Sequence, residues 1–194
     1  MSDDASDPPA GIVVAPDLVL RRLQREDASA IFALMEENRS WLEPWMPWVD
    51  NVRALEDTEA FVSESFASND LGPVAHECGL FHQGTLVGML GLNRLDLINQ
   101  TANVGYWMGR RYAGQGYMTG GVRALADFGF SVMRLHRLEI RAATANRPSR
   151  RVAVKSGFVL EGTLRGAELL RGERRDLAVY SRLAVDEVPR TSDY

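Results

Sequence analysis

Two glycines separated by one residue, Gly114 and Gly116, have the spacing in this chain that most clearly suggests chemistry. β-Branched and aromatic residues are frequent over Thr101–Met108, which predicts a strand before them. Residues 118–132 carry apolar side chains at helical spacing and predict a helix after them. Glycines at a strand-to-helix turn let the backbone approach a ligand, and the helix N-terminus adds a partial positive charge. The turn therefore predicts a phosphate or pyrophosphate site, with an ordinary tight turn as the alternative.

Two common nucleotide motifs and a metal site are not expected. A P-loop needs a lysine beside its glycines, and the chain's only lysine is the distant Lys155. The dinucleotide fingerprint fails because three residues, not two, separate Gly116 from Gly120. One cysteine, Cys78, and three histidines, His76, His82 and His136, form no pattern with metal-ligand spacing. The sequence therefore predicts no metal.

Length and composition predict one domain. With 194 residues, 45% of them hydrophobic, the chain can bury a single sizeable core. Three prolines and few large apolar residues predict a disordered leader over 1–16, before a domain over 17–185 and a flexible tail over 186–194. No apolar run is long enough to cross a membrane, and the N-terminus is acidic where a signal peptide is basic. A cytoplasmic protein without a membrane partner is expected.

Charge is distributed unevenly along the chain. The net charge is −4, but residues 1–70 hold fifteen acidic and five basic residues, whereas residues 134–175 hold eleven basic and four acidic ones. This asymmetry favours an anionic cofactor near one end and a cationic substrate near the other, with two solvated surfaces as the alternative. Because the domain as a whole is acidic, nucleic acid is not an expected partner.

The remaining periodicities predict the elements that would position the glycine turn. We expect strands over 18–23 and 137–142, helices over 27–38, 55–68 and 148–155, and hairpins over 76–93 and 158–183. Asp27 is expected to cap the first helix, and Ala30 and Phe61 to lie on buried helix faces. This mixed order predicts an α/β (α+β) fold with one sheet and helices on both faces.

Several motifs together resemble one protein superfamily. Arg111-x-x-Gly114-x-Gly116 is similar to the acetyl-CoA pyrophosphate loop of the GNAT N-acetyltransferases, and Asn146-Arg-Pro-Ser149 is similar to the start of their second cofactor element. Over about residues 18–185 the chain resembles the RimJ/RimL-type acetyltransferases of ribosomal-protein N-termini. The motifs that carry this closer resemblance are Asn38-Arg-x-x-Leu42, Trp45-x-Pro-Trp48, Gly105-Tyr-Trp107, His136-Arg-Leu-Glu-Ile140, Glu161-Gly-x-Leu-Arg165 and Asp176-x-x-x-Tyr180.

The resemblance implies a mostly antiparallel twisted sheet of the GNAT-like acyl-CoA N-acyltransferase fold, with acetyl-CoA as co-substrate. Acetyl-CoA would lie in a splayed gap between the strands at 101–108 and 137–142, along free backbone groups of the first. Its pyrophosphate would contact the glycine turn, and basic residues would meet its 3′-phosphate. The implied cofactor-binding residues are Tyr106, Trp107, Met108, Arg111, Gly114, Gln115, Gly116, Tyr117, Met118, Thr119, Asn146, Arg150 and Arg151.

The resemblance also implies two catalytic residues. Many GNAT enzymes use a tyrosine as the acid that protonates the leaving thiolate, but Ala153 stands at the matching position here, so Ser149 is the expected substitute. Glu168 matches the Rim-type general base, acting through a water, whereas Glu161 is expected to be structural. Two alternatives remain open: Ser149 bonds only to helix backbone, and Glu168 only pairs with a neighbouring arginine.

The acceptor is expected to bind against the N-terminal third. Trp41, Trp45 and Trp48, separated by prolines, suit a rigid substrate-facing wall, with ordinary core as the alternative. Glu43 and Asp50 are candidates for attracting a cationic acceptor at the mouth of the cleft.

The resemblance implies transfer of an acetyl group from acetyl-CoA to a primary amine, first of all the N-terminal α-amine of a ribosomal protein. An α-amine has a pKa of about 7.7–8.0, against about 10.4 for lysine, so a single water-relayed carboxylate suits it better. The alternatives are a small amine (a polyamine, an aminoglycoside or an aminoacyl conjugate) and a non-catalytic acyl-CoA-binding module. The family often forms dimers, so a homodimer is a further expectation.

Overall fold

One eight-stranded sheet organises residues 11–67 and 77–186, the part of the chain that the computed structural model describes. The strands are β1 (Ile12–Ala15), β2 (Leu18–Arg22), β3 (Cys78–His82), β4 (Thr85–Asp96), β5 (Thr101–Met108), β6 (Arg137–Ala143), β7 (Val159–Leu170) and β8 (Glu173–Leu183). Their order across the sheet is β1-β2-β3-β4-β5-β6-β8-β7. Among these eight described strands only β5 and β6 pair in parallel, so the predicted mixed, mostly antiparallel sheet is confirmed.

Helices cover both faces of this sheet, as predicted. They are α1 (Ala28–Glu37), α2 (Arg39–Leu42), α3 (Leu55–Ala67), α4 (Tyr117–Ser131) and α5 (Arg147–Lys155), with short 3-10 turns at Arg25–Asp27, Pro47–Asn51 and Arg110–Tyr112. One face packs against α1 and α3 through Ile31, Val62 and Met89. The other packs against α4 and α5 through side chains such as Val122 and Ala153. β4 is buried continuously from Leu86 to Leu92 because helices cover both of its faces.

The parallel strands β5 and β6 hold together over a short distance only. Their paired residues are Thr101 to Asn103 with Arg137 to Glu139. Beyond Asn103 the described residues of β5 have no partner on β6, although both strands continue. The sheet therefore opens at its centre, where backbone groups of two strands are free for a ligand.

Four local predictions were wrong. Residues 12–15, assigned to a disordered leader over 1–16, form β1, an edge strand paired with β2. Asp27 makes no cap bond to α1, because its carboxylate accepts from the Gln24 backbone N–H at 2.7 Å and from both terminal nitrogens of Arg21 at 2.7 and 2.8 Å. Ala30 is exposed, and Phe61 is 36% exposed rather than buried. His76, Ser68, residues 1–10 and the predicted tail from 187 onwards lie outside the described residues.

Candidate active site

A cavity of about 890 Å³ lies where β5 and β6 part. Because successive side chains of a strand point to opposite faces, it is lined from both sides of the sheet. Tyr106 and Ile140 share the face that packs against α4, and Trp107 and Arg141 line the cavity from the other face. Ser149 on α5 and Glu168 on β7 line the same cavity. The gap thus connects side chains that lie on opposite faces of one sheet.

The glycine turn has the geometry of a backbone cradle. Gly114 and Gly116 both have φ near +83°, and a Cβ added at either would meet no described atom within 4 Å. Gly116 is the N-cap of α4, whose first backbone N–H groups lack acceptors within the helix. Gln115 Nε2 closes the turn by donating to the Arg111 carbonyl at 2.9 Å. A bound pyrophosphate fits this open turn and the positive end of the helix.

The side chains that follow the turn are held by the fold. Met118 is buried in the main core, and Tyr117 stacks on His82 with 3.2 Å between its hydroxyl and Nε2. Arg111 lies over the Tyr112 ring and is 3.5 Å from the Glu37 carboxylate. Tyr117 and Met118 would therefore contact a phosphate only through their backbone N–H groups.

Ser149, Tyr106 and Asn146 form a connected polar group at the start of α5. The Asn146 side-chain oxygen accepts from the Ser149 backbone N–H at 3.2 Å, as expected of an N-cap. Ser149 Oγ donates to the Tyr106 hydroxyl at 3.0 Å, and that hydroxyl donates to the Ser149 carbonyl at 2.9 Å. Burial raises the pKa of Tyr106 well above its usual range, so the phenol stays neutral. The Ser149 hydroxyl is thus oriented by a side chain that the sequence associated only with backbone contacts.

The two arginines expected to meet a 3′-phosphate differ. Arg150 Nε donates to the Tyr180 hydroxyl at 2.9 Å, and one terminal nitrogen donates to the Thr144 carbonyl at 2.9 Å. These bonds tie α5 to β8 and to the loop after β6, so the geometry does not support a phosphate role for Arg150. Arg151 is exposed on the same helix.

Glu168 and Glu161 lie on the same strand in contrasting surroundings. Glu168 is half-buried in the cavity, and its carboxylate takes part in no hydrogen bond or ion pair among residues 11–67 and 77–186. Its cross-strand neighbour Arg175 instead approaches Glu173 at 3.7 Å and donates to the Pro44 carbonyl. Arg137 and Ser181 donate to Glu161 and lower the pKa of that carboxyl to about 2. Glu161 is therefore a poor proton acceptor, and the described contacts do not favour simple arginine pairing for Glu168.

The tryptophan segment, residues 41–48, packs into the core at its N-terminal end and lines the cavity at its C-terminal end. Trp45 and Trp48 line the cavity, and the Trp48 ring lies 5.7 Å from the Trp107 ring at a tilt of 52°. Trp41 does not line it and packs instead against the Met35, Leu42 and Val49 cluster. The sequence could not separate these roles because all three residues share one composition and one proline-broken segment.

The β7–β8 hairpin holds this wall in place. Arg171 donates to the Glu43 carbonyl and pairs with Asp50 at 2.5 Å, while Arg175 reaches the Pro44 carbonyl. Asp50 already has a cationic partner, so the expectation that it attracts an acceptor loses support. Glu43 contributes its carbonyl to this contact.

The cavity also contains a carboxyl that no sequence motif indicated. Glu77 lies just before β3, is half-buried, and lines the same cavity as Trp107 and Glu168. Burial raises the pKa of its carboxyl to about 7. Glu77 belongs to none of the motifs, and only the register of β3 on β4 brings it to the cavity, so no signal in the sequence alone identified it.

The described residues hold no cluster of three or more histidine, cysteine or acidic side chains that could bind a metal. Across the same ranges no helix is both long and apolar enough to cross a membrane.

Residues 17–159 match the family model described as an acetyltransferase (GNAT) domain. The ribosomal-protein-serine acetyltransferase of Escherichia coli (strain K12) is 30% identical over 172 residues, 89% of this chain and 96% of that protein. The structure of RimL, a ribosomal L7/L12 alpha-N-protein acetyltransferase in complex with coenzyme A, superposes with a TM-score of 0.84 at 28% identity, over 90% of this chain and 98% of that one. The microcin C7 self-immunity acetyltransferase MccE, solved with acetyl-CoA and AMP, gives 0.83 at 26% identity, over 91% of this chain and 97% of that one.

Proposed function

The chain belongs to the acetyltransferase (GNAT) family, and we propose that it acetylates the N-terminal α-amine of a ribosomal protein. It is an acetyl-CoA-dependent N-acetyltransferase. The observation that carries the proposal is the cavity that joins Ser149 on one face of the opened sheet to Glu168 and three tryptophans, Trp45, Trp48 and Trp107, on the other. The E. coli relative and RimL, both named for ribosomal proteins, support this acceptor. We place the enzyme in the cytoplasm, where such acceptors are made.

Acetyl-CoA would be held mainly by backbone. The pyrophosphate would lie against the turn from Gly114 to Gly116 and the first N–H groups of α4, and the pantetheine arm along the unpaired part of β5. This leaves the thioester at the gap, beside the hydroxyl pair of Ser149 and Tyr106. Exposed Arg151 is the remaining candidate of the two arginines for the 3′-phosphate.

The chemistry would proceed by direct attack. Glu168, through a water, takes a proton from the acceptor ammonium, and the free amine nitrogen then attacks the thioester carbonyl carbon. A backbone N–H of β5 stabilises the tetrahedral oxyanion. The C–N bond forms first. When the tetrahedral intermediate collapses and the C–S bond breaks, Ser149 gives its proton to the leaving sulfur and regains, through water, the second proton that the nitrogen releases as it becomes the neutral amide. Tyr106 orients the Ser149 hydroxyl before this step, and the serine turns from Tyr106 towards the sulfur.

A peptide acceptor is supported by a second depression beside the main cavity. Its lining includes residues 173–176 of β8, and it shares Trp45 and Ala143 with the main cavity. A small amine would fill the main cavity alone. An extended chain would place its first residue inside and the following residues over Trp45 along this outer depression.

The test is an acetylation screen with mass-spectrometric product identification. Peptides copying the N-termini of ribosomal proteins are compared with spermidine, an aminoglycoside and peptides blocked at the N-terminus. We expect one acetyl group on the α-nitrogen of the unblocked peptides and none on the blocked ones, with Ser149→Ala and Glu168→Gln strongly impaired. Exclusive acetylation of spermidine or of the aminoglycoside would contradict the proposed acceptor.

A further inference from the structure

Glu77 lies on the acceptor-facing side of the sheet. Cross-strand neighbours share a face, and the row Gly79, Met89 and Trp107 faces α1 and α3. The neighbouring row, Cys78, Leu90 and Tyr106, faces α4. Glu77 directly precedes Cys78, so it lies one row further along, in line with the paired Gly91 and Gly105. Successive rows alternate between the two faces, so Glu77 lies on the same face as Trp107.

Polar side chains on the same face of the sheet lie between Glu77 and the gap that separates β5 from β6. Asn93 pairs with Asn103 in the next row, and both line the cavity. Asn93 lies over Gly105, since a Cβ added there would come within 2.6 Å of its side-chain nitrogen. A carboxyl and two amides thus border the cavity on the β3 side of the gap, opposite Glu168 on the β7 side.

The carboxyl of Glu77 makes no hydrogen bond or ion pair with other residues in the described ranges 11–67 and 77–186. A partly buried carboxyl without a partner in these ranges destabilises the fold that they form, so Glu77 is poorly explained as a structural element. Its pKa of about 7 means that both protonation states are populated near neutrality. The group can therefore accept a hydrogen bond in one state and donate one in the other.

The distance from the gap suits contact with a side chain of the acceptor. Adjacent strands lie about 4.8 Å apart, so Glu77 is about 10 Å from Gly105 between Cα atoms. The glutamate side chain covers part of this span, and a group a few bonds away from the reacting nitrogen covers the rest. We propose that Glu77 binds the side chain of the acceptor's first residue, and that it selects a hydrogen-bond donor there, a hydroxyl or an ammonium, over an apolar or acidic group. This rests on the proposed function, in which the acceptor nitrogen sits at the gap.

The experiment measures kcat/KM for matched acceptors at one pH near neutrality, with each value referred to the free-amine concentration, because the amine pKa differs between acceptors. One series is a peptide whose first residue is serine, threonine, lysine, alanine, valine or aspartate, with the rest unchanged. A second series pairs ethanolamine with propylamine and 1,3-diaminopropane with butylamine. The variants are Glu77→Met, which keeps length but is apolar, and Glu77→Gln, which keeps a neutral hydrogen-bonding group. Glu59→Met, on an exposed position of α3, is the matched control.

We expect the wild type and Glu59→Met to prefer donor-bearing acceptors at least tenfold, about 1.4 kcal/mol. Glu77→Met should bring that ratio close to one while acetyl-CoA affinity and the rate with the alanine peptide stay within twofold. Glu77→Gln should keep part of the preference for hydroxyls and lose the preference for ammonium groups. This last comparison separates the two donor types.

Two results with Glu77→Met overturn the inference. One is an unchanged donor preference; the other is an equal loss with every acceptor, which would indicate a general structural effect. A preference seen with the small amines but no peptide acetylation would contradict the ribosomal-protein proposal and keep this one. Peptide acetylation without any donor preference in the wild type would do the reverse.

Discussion

Gly116→Val tests whether the glycine turn is the phosphate cradle. Gly116 has φ near +83°, and its Cβ position is open, so valine enters the space outside the turn without meeting protein. Two effects follow and can be measured separately. The left-handed backbone becomes strained, and a branched side chain occupies the place where the pyrophosphate would approach.

The size of the first effect follows from the backbone. A left-handed conformation costs an L-residue about 1–2 kcal/mol, and a β-branched residue lies at the upper end of that range. For a chain of this length we expect a fall in Tm of about 4–8 °C. Gly172 provides a matched control, because it has φ near +80°, an equally open Cβ position and a location in the β7–β8 turn. Gly172→Val should lose similar stability.

Calorimetric titration with acetyl-CoA separates the second effect. Gly116→Val should bind acetyl-CoA at least tenfold more weakly, about 1.4 kcal/mol, whereas Gly172→Val should bind within twofold of the wild type. Thermal unfolding of both variants confirms that each is folded at the titration temperature. If both variants bind acetyl-CoA equally well, or both lose affinity equally, the pyrophosphate does not lie at Gly116.

Four further perturbations address the remaining residues. Glu168→Gln should lower kcat on the order of 10²-fold near neutral pH, with a smaller loss as free amine increases at higher pH; wild-type turnover would make Glu168 a bystander. Ser149→Ala should lower kcat more than Tyr106→Phe, which removes only the group that orients Ser149, and the reverse order in steady-state assays would make Tyr106 the acid. Trp45→Ala should raise the peptide KM about tenfold with acetyl-CoA affinity intact, and equal losses of both would identify Trp45 as core. Burial raises the pKa of Glu77 from 4.5 to about 7, so protonation of this carboxyl stabilises the folded state. The stabilisation is fully present below pH 4.5, and the free energy of unfolding falls by at most about 3 kcal/mol as the pH rises through 7. Glu77→Gln should remove this dependence in denaturant titrations, and an identical pH profile in both proteins would show that Glu77 is solvated.

The extent of prediction from sequence differed between elements for physical reasons. β5 was predicted at its observed bounds because its β-branched and aromatic residues lie between clear breaks. β1 was missed because it has only four residues and depends on pairing with β2 through a turn at Asp17, where φ is +23°. Phe61 shows another limit: helical periodicity finds the inward face, but it cannot distinguish a filled core from a cavity wall.

The site itself was partly within reach of the sequence. Glycine spacing and the Asn146–Ser149 motif identified groups that the structure brings to one turn and one helix start. Glu77 and Glu168 lie far apart along the chain and reach one cavity only through strand order and register. Local pattern carries no information on which face a pre-strand glutamate takes, because a shift of one residue in register reverses it.

The charge asymmetry along the chain serves contacts within the protein as well as any contact with a cofactor. The basic region was expected to meet an anionic cofactor, yet several of its arginines contact protein. Arg137 and Arg141 pair with Glu139 on their own strand, and Arg150 binds Tyr180. Arg171 binds the acidic N-terminal third at Asp50. Opposite charges on the two parts of the chain therefore hold the hairpin against the tryptophan wall. Salt would weaken these exposed contacts and loosen the wall directly, so a loss of acceptor turnover at high ionic strength would not by itself demonstrate electrostatic steering of the acceptor.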